Sequence, residues 1–128
     1  MNNLKVHHIG IKVRSIATLI LSFEMLKIHI SEIEDHPEVG LKIGCICLNN
    51  CIIELLEVTD EKSPMAKDPL GFNHIGLLSE DFFSFYQLVA DNKEYVLVYD
   101  IFFNAQGKKI FFFKMKQEKD ILYECMQA

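Results

Sequence analysis

The amino-acid sequence predicts an α+β fold, in which two tandem βαβββ modules form a curved mixed or antiparallel sheet around a cleft. Three observations support this prediction: one motif recurs near the start of each half, another recurs near the end of each half, and both halves show one helical pattern with several strand-like runs. Such a mixture is typical of α+β domains. We expect a single domain over residues 1–128, with module 1 at 4–58, a linker at 59–70 and module 2 at 71–127.

The repeat consists of two short motifs. Residues 6–13 read VHHIGIKV and residues 72–79 read FNHIGLLS, so His-Ile-Gly recurs at His8 and His74. Residues 52–57 read IIELLE and residues 122–127 read LYECMQ, which places Glu54 and Glu124 at matching positions. Because both motifs recur in the same order and at nearly the same offset, they indicate a duplicated module.

The elements of module 1 follow from local patterns. Residues 4–13 are rich in Val and Ile and predict a strand. Residues 15–27 predict a helix, for which Ser15 is a suitable N-cap. Three short strands are expected at 29–35, 40–48 and 51–58, and Asn49-Asn50 indicates a hairpin turn between the last two.

Module 2 repeats this order. Residues 71–79 predict the opening strand, and residues 80–92 predict the helix, with Ser79 as its cap and Asp81 in its first turn. Strands are expected at 95–101, 108–115 and 120–126, separated by turns at Gln106-Gly107 and at 118–120. The linker holds two of the three prolines and several charges.

Composition limits the classes of function. The formal net charge is −5, and a nucleic-acid-binding protein would instead carry a basic stripe. No run approaches the roughly 20 apolar residues of a membrane-spanning helix, and the N-terminal residues lack the apolar core of a signal peptide. We therefore expect a cytoplasmic protein that binds neither nucleic acid nor membrane. The four cysteines are interpreted as reduced thiols, with a zinc site at Cys45-x-Cys47 as the alternative.

The repeat also places histidine and glutamate residues at equivalent positions of the two modules. His8 and His74 lie on the first strand of each module, whereas Glu54 and Glu124 interrupt apolar runs on the last strand. A carboxylate on the inner face of a sheet is costly unless it is paired or bound to a cation. Two imidazoles and two carboxylates suit one divalent ion such as Co, Ni, Zn, Mn or Fe. These four residues are therefore the predicted metal ligands.

Each of these residues also has a simpler interpretation. A single histidine on an apolar strand can be a hydrogen-bonded core residue, and Glu54 can lie on the outward face of its strand. The two-residue period of a strand shows that its faces differ, but not which face is inside. The recurrence of His and Glu in both halves favours the metal site.

Several segments resemble the vicinal-oxygen-chelate superfamily, and more narrowly the methylmalonyl-CoA epimerases. The strand VHHIGIKV at 6–13 resembles the first strand of the superfamily. The segments similar to the epimerases are PEVG at 37–40, IELLE at 53–57, SPMAK at 63–67, GFNHI at 71–75, GKKI-x-F at 107–112 and LYE at 122–124. The resemblance extends over nearly the whole chain, and SPMAK is its most family-specific part.

The resemblance implies an isomerase that deprotonates the carbon beside a carbonyl group held by the metal ion. Its ligands would be His8, Glu54, His74 and Glu124, with Glu124 also acting as the base. Glu38 is a candidate for the second acid only by its place in the PEVG segment. The resemblance further implies an acyl-CoA substrate and a homodimer.

Two alternatives remain open at this point. One is an enzyme similar to lactoylglutathione lyase (glyoxalase I), which would act on a glutathione thiohemiacetal. The other is a metal-free protein that binds a drug or another small molecule and confers resistance. Lys12, Arg14, Lys108 and Lys109 are candidates for contacts with CoA phosphates, or are ordinary surface residues.

Overall fold

The computed structural model describes residues 3–104 and 106–128, and in these residues it contains eight strands and two α-helices. The elements, in chain order, are β1 Leu4–Val13, α1 Ile16–Met25, β2 Glu34–His36, β3 Leu41–Cys47, β4 Ile52–Val58, β5 Gly71–Ser79, α2 Phe82–Asp91, β6 Tyr95–Phe103, β7 Lys109–Met115 and β8 Glu118–Gln127. A 3-10 helix, Pro37–Val39, separates β2 from β3. Strands β1–β4 lie in the order β2-β3-β4-β1 and strands β5–β8 lie in the order β5-β8-β7-β6, each set with parallel and antiparallel neighbours, and the predicted α+β class is confirmed.

The chain divides into two compact units, residues 8–73 (the first unit) and residues 1–7 with 74–128 (the second unit). In the first unit, β1 pairs in parallel with β4, and the other pairings are antiparallel. In the second unit, β5 pairs in parallel with β8, and the other pairings are again antiparallel. The same pairing pattern in both units fits the duplication predicted from the repeat.

Helix α1 covers one sheet face of the first unit. Its N-cap Ser15 accepts a hydrogen bond from the backbone N–H of Thr18, as the sequence predicts. Ile16 is fully buried and packs with Ile46 and Leu55 of the sheet. A Cβ on Gly44 would lie 3.2 Å from the side chain of Ile16, so the glycine allows the helix to approach the sheet closely.

Phenylalanine dominates the core of the second unit. Phe82 of α2 packs edge-on against Phe111 of β7, and Phe113 stacks on Tyr123 of β8. Cys125 is fully buried in this cluster, and burial raises the pKa of its thiol to about 12, so it stays protonated. All four cysteines are free thiols, as expected.

Three local predictions are wrong. Strand β2 is shorter than 29–35, because Ile30 and Ile33 turn into the core beneath α1 instead of joining a strand. Ser79 does not cap α2: it ends β5 and accepts a hydrogen bond from the N–H of Asp81, which occupies the N-cap position. Residues 118–120 belong to β8, and the turn before them consists of residues 116–117.

No helix in the described part of the chain is long and apolar enough to cross a membrane.

A buried lysine holds part of the linker in place. The Lys12 ammonium group donates hydrogen bonds to the carbonyl oxygens of Met65 at 2.9 Å, Ala66 at 3.2 Å and Asp68 at 2.6 Å. Asn73 adds a 2.9 Å hydrogen bond from its side-chain amide to the Asp68 carboxylate. An ammonium group has three N–H donors, and all of them are used here. Lys12 is therefore a structural residue and does not serve as a contact for CoA phosphates.

We predict that Lys12→Met lowers the free energy of unfolding by about 2 kcal/mol, because three part-buried carbonyl oxygens lose a charged donor. Urea unfolding followed by circular dichroism measures the change. Lys62→Met, at an exposed position of the same linker, is the control and should change stability by less than about 0.5 kcal/mol. Equal effects of the two substitutions would contradict the role assigned to Lys12.

Candidate metal centre

The parallel pairing of β1 with β4 brings the first predicted pair of ligands together. Gly10 lies opposite Glu54, and His8 lies two residues before Gly10, opposite Ile52. Side chains two residues apart on a strand share a face, and so do residues paired across strands. His8 and Glu54 therefore lie on the same face as diagonal neighbours, and Gly10 places no side chain between them.

The second unit repeats this register. Gly76 lies opposite Glu124, and His74 lies two residues earlier, opposite Leu122. The imidazole Nε2 of His74 is 3.4 Å from Oε1 of Glu124. The same sequence motif, paired in the same register, thus produces the same His and Glu neighbours.

The structure resolves which faces of the strands these residues occupy. Leu55, next to Glu54, is buried in the core beneath α1, and Cys125, next to Glu124, is buried in the core of the second unit. Because neighbouring residues alternate, both glutamates lie on the faces away from the helices. His8 and His74 are each only 4% exposed and Glu124 is 8% exposed, so the carboxylate and imidazole groups lie in protected surroundings.

Each unit supplies one imidazole and one carboxylate of the kinds that hold a metal ion. Ligand atoms around one ion lie within about 4 Å of one another, because metal–ligand distances are about 2.0–2.2 Å. In the second unit, the 3.4 Å distance between His74 and Glu124 already meets this requirement.

The cysteine alternative receives no support from this arrangement. Within residues 3–104 and 106–128, no group of three or more His, Cys, Asp or Glu side chains that could share an ion includes a cysteine. Cys45 lies opposite Glu54, and its pKa is raised to about 11, first by burial and then by the charge of Glu54. The thiol form of Cys45 is therefore favoured over the thiolate, which is the form that binds metals.

An aromatic surface adjoins the glutamate of the second unit. Phe112 lies opposite Glu124, and its ring meets the imidazole of His74 edge-on, with centroids 6.0 Å apart. Phe102 stacks on Phe112, and Tyr99 packs edge-on against both rings. Tyr99 and Phe102 remain more than 40% exposed, so this surface could contact an apolar part of a ligand.

The candidate second acid, Glu38, lies in the 3-10 helix that precedes β3. Its side chain is 63% exposed, and its carboxylate is 3.3 Å from Nδ1 of His36. Glu34 contacts the other nitrogen of the same ring at 3.0 Å. The hydrogen bond to Glu34 raises the pKa of His36, burial opposes this increase, and Glu38 adds to it.

Comparisons with known proteins agree with this fold. No protein-family model matches the chain, and no curated protein matches it. A hypothetical protein from Bacillus halodurans is 29% identical, with a TM-score of 0.83 over 98% of this chain and 94% of that one. A Streptomyces coelicolor methylmalonyl-CoA epimerase variant, in complex with 2-nitronate-propionyl-CoA, is 22% identical, with a TM-score of 0.79 over 97% and 96%. The Mycobacterium tuberculosis epimerase is 19% identical, with a TM-score of 0.79 over 97% and 87%.

We predict that His36 makes stability depend on pH. Its folded pKa lies above the unfolded value near 6.5, so its contribution is complete below that value and is lost as pH rises through the folded pKa. His36→Gln should therefore lower the free energy of unfolding more at pH 5.5 than at pH 8.5. Urea unfolding of both proteins at the two pH values measures the difference. An identical loss at both would contradict the ion pairs with Glu34 and Glu38.

Proposed function

We propose that this chain, which has the vicinal-oxygen-chelate fold of the methylmalonyl-CoA epimerases, is a metal-dependent isomerase of an acyl-CoA thioester. The observation that carries the proposal is the repeated strand register, which makes His8 and Glu54 neighbours in the first unit and brings His74 within 3.4 Å of Glu124 in the second. Structural neighbours with this fold hold methylmalonyl-CoA or 2-nitronate-propionyl-CoA, which supports the acyl-CoA class of substrate. Homodimer formation and a cytoplasmic location stay predictions.

We assign His8, Glu54, His74 and Glu124 as the residues that hold one divalent ion. Imidazole nitrogens and carboxylate oxygens suit Co, Ni, Zn, Mn and Fe, so the ligand set fits the predicted cofactor without selecting one metal. A divalent ion supplies Lewis-acid stabilisation of the negative charge that develops on a substrate oxygen. Burial of His8 and His74 excludes water from their side, which strengthens such electrostatic interactions.

The proposed proton transfer uses two carboxyl groups. Glu124 takes the proton from the carbon beside the thioester carbonyl, and its contact with His74 holds the carboxylate in position. In the fraction of molecules in which Glu38 carries a proton, it gives that proton to the opposite side of the same carbon. In the reverse direction the two groups exchange roles, so each turnover conserves the number of protons.

A second candidate is an enzyme similar to lactoylglutathione lyase. The different surroundings of the two carboxyl groups favour it, because Glu124 is buried whereas Glu38 is exposed and tied to His36. A reaction that moves a proton between neighbouring carbon atoms needs only one base, and Glu124 alone could provide it. A metal-free binding protein is the third possibility, and measurement of the metal content of the purified protein distinguishes it from the two enzymes.

We predict that the purified protein, reconstituted with Co and then dialysed, holds about one ion per chain, and that His8→Ala and His74→Ala abolish this binding. Removal of one ligand breaks the site because the remaining donors cannot complete the coordination sphere. Elemental analysis by mass spectrometry measures the content. His7→Ala is the control, since residue 7 points to the opposite face from His8. A metal-free wild type would favour the metal-free binding protein instead.

We predict that Glu38→Gln separates two steps of epimerisation. With methylmalonyl-CoA in D₂O, this variant should still exchange the proton removed by Glu124 but should convert one epimer to the other at least 100-fold more slowly, the lower range for a general acid or base. NMR follows exchange, and chiral analysis follows conversion. Glu124→Gln should lose both.

Glu34→Gln is the matched control, because Glu34 and Glu38 contact the same imidazole ring. It should leave both rates unchanged. If Glu38→Gln epimerises at the wild-type rate, Glu38 is not the second acid. Exchange without any conversion in the wild type would favour the reaction that uses one base.

A further inference from the structure

A pocket lies in the first unit, between the segment that follows α1 and the end of β3. Its volume is about 280 Å³, and Lys27, His29 and Ser31 line one side while Cys45 and Cys47 line the other. Sites that enclose a whole drug-sized ligand have volumes of about 300–1,000 Å³. This pocket therefore suits one segment of a larger ligand.

The backbone of β3 forms an open edge in this pocket. The N–H of Cys45 donates to the hydroxyl of Ser31 at 2.9 Å, and the Cys45 carbonyl accepts from the N–H of Ser31 at 2.8 Å. The backbone N–H and carbonyl groups of Cys45 therefore point away from β4. In an antiparallel pair, the backbone N–H and carbonyl groups of every second residue point to the same side of the strand. The N–H and carbonyl of Cys47 therefore point to the same edge as those of Cys45.

Strand β2 does not extend to this part of the edge. It comprises only Glu34–His36, and its residues pair with β3 at positions 41–43. Past Ser31 the edge of β3 reaches the exposed residue Cys47. Its N–H and carbonyl can therefore pair with an extended ligand that carries a secondary amide, as a peptide pairs with an open sheet edge.

The side chains around this edge select the charge of the ligand. Lys27 and His29 are both exposed, and no carboxylate is among the residues that line the pocket in the described part of the chain. Ile28 and Leu48 complete the lining with apolar surface. The pocket therefore suits an arm with an apolar stretch, an amide and a negatively charged end.

The pocket begins beside the candidate metal centre. Cys45 lines it and lies directly opposite Glu54 on the neighbouring strand. Residues of a strand advance by about 3.3 Å each, so Cys47 lies about 7 Å farther along β3. A ligand whose reacting end meets Glu54 can therefore extend its remaining length along this edge.

We propose that this pocket binds the amide-bearing, anionic arm of the thiol carrier to which the substrate is attached. The inference rests on the proposed function and extends it to the recognition of the carrier. CoA and glutathione share this chemistry, since both contain amide groups and anionic ends. The pocket thus recognises a class of carrier, and a binding experiment distinguishes the two.

Isothermal titration of the full chain with acetyl-CoA, and separately with S-methylglutathione, tests the proposal in EDTA, so that metal does not contribute. Lys27→Glu should raise the Kd of the bound carrier at least fivefold by reversing the charge of the pocket. Cys47→Pro should do the same by removing the edge N–H, a change that edge strands tolerate. The control Lys93→Glu makes the same charge change at an exposed site in the other unit and should leave the Kd unchanged.

Each outcome has a distinct meaning. Binding of acetyl-CoA that depends on Lys27 supports the pocket and an acyl-CoA substrate, and the same result with S-methylglutathione supports the pocket and the second candidate function. No binding of either carrier, or a Kd that Lys27→Glu leaves unchanged, overturns the pocket. Circular dichroism checks that the Cys47→Pro variant folds. If that variant does not fold, the Kd of the Lys27→Glu variant alone decides whether the pocket binds the carrier. Metal content measured on the same protein preparations before EDTA is added tests the proposed function separately.

Discussion

The candidate centre depends on one constraint, the parallel register in which the first strand of each unit meets its last strand. Pairing of Gly10 with Glu54 and of Gly76 with Glu124 puts a histidine and a glutamate side by side in each unit. A shift of one residue would turn each glutamate towards the apolar face beneath its helix. The cores hold the register, because Leu55 and Cys125 are buried on those faces and would have to leave them.

Much of the fold follows from the sequence, because long periodic segments predict their own structure. The predicted strands at 4–13 and 71–79 coincide with β1 and β5, and the cap at Ser15 is confirmed. The failures concern segments in which local preference competes with packing. Ile30 and Ile33 favour a strand, but burial beneath α1 removes them from the sheet. Ser79 is a good cap by type, but it ends β5, and its hydroxyl accepts a hydrogen bond from the N–H of Asp81, which takes the N-cap position.

The candidate site was predictable to the extent that it is repeated. The recurrence of His and Glu identifies the pairs His8 with Glu54 and His74 with Glu124, and the structure makes the members of each pair neighbours. The role of Lys12 and the open edge at Cys47 were not predictable, because each depends on contacts of the folded chain that no repeated motif indicates. A lysine two residues after the His-Ile-Gly motif is the one signal that could have pointed to a buried anchor.

The two glutamates have unlike neighbours, since a small thiol at Cys45 lies opposite Glu54 whereas the Phe112 ring lies opposite Glu124. An assembly of two identical single modules would acquire every mutation twice, so its two sides would have to change together. A fused gene removes that coupling, because mutations can change the neighbour of one glutamate while the neighbour of the other stays as it was. Duplication within one chain thereby permits two glutamates in the same register to have different surroundings.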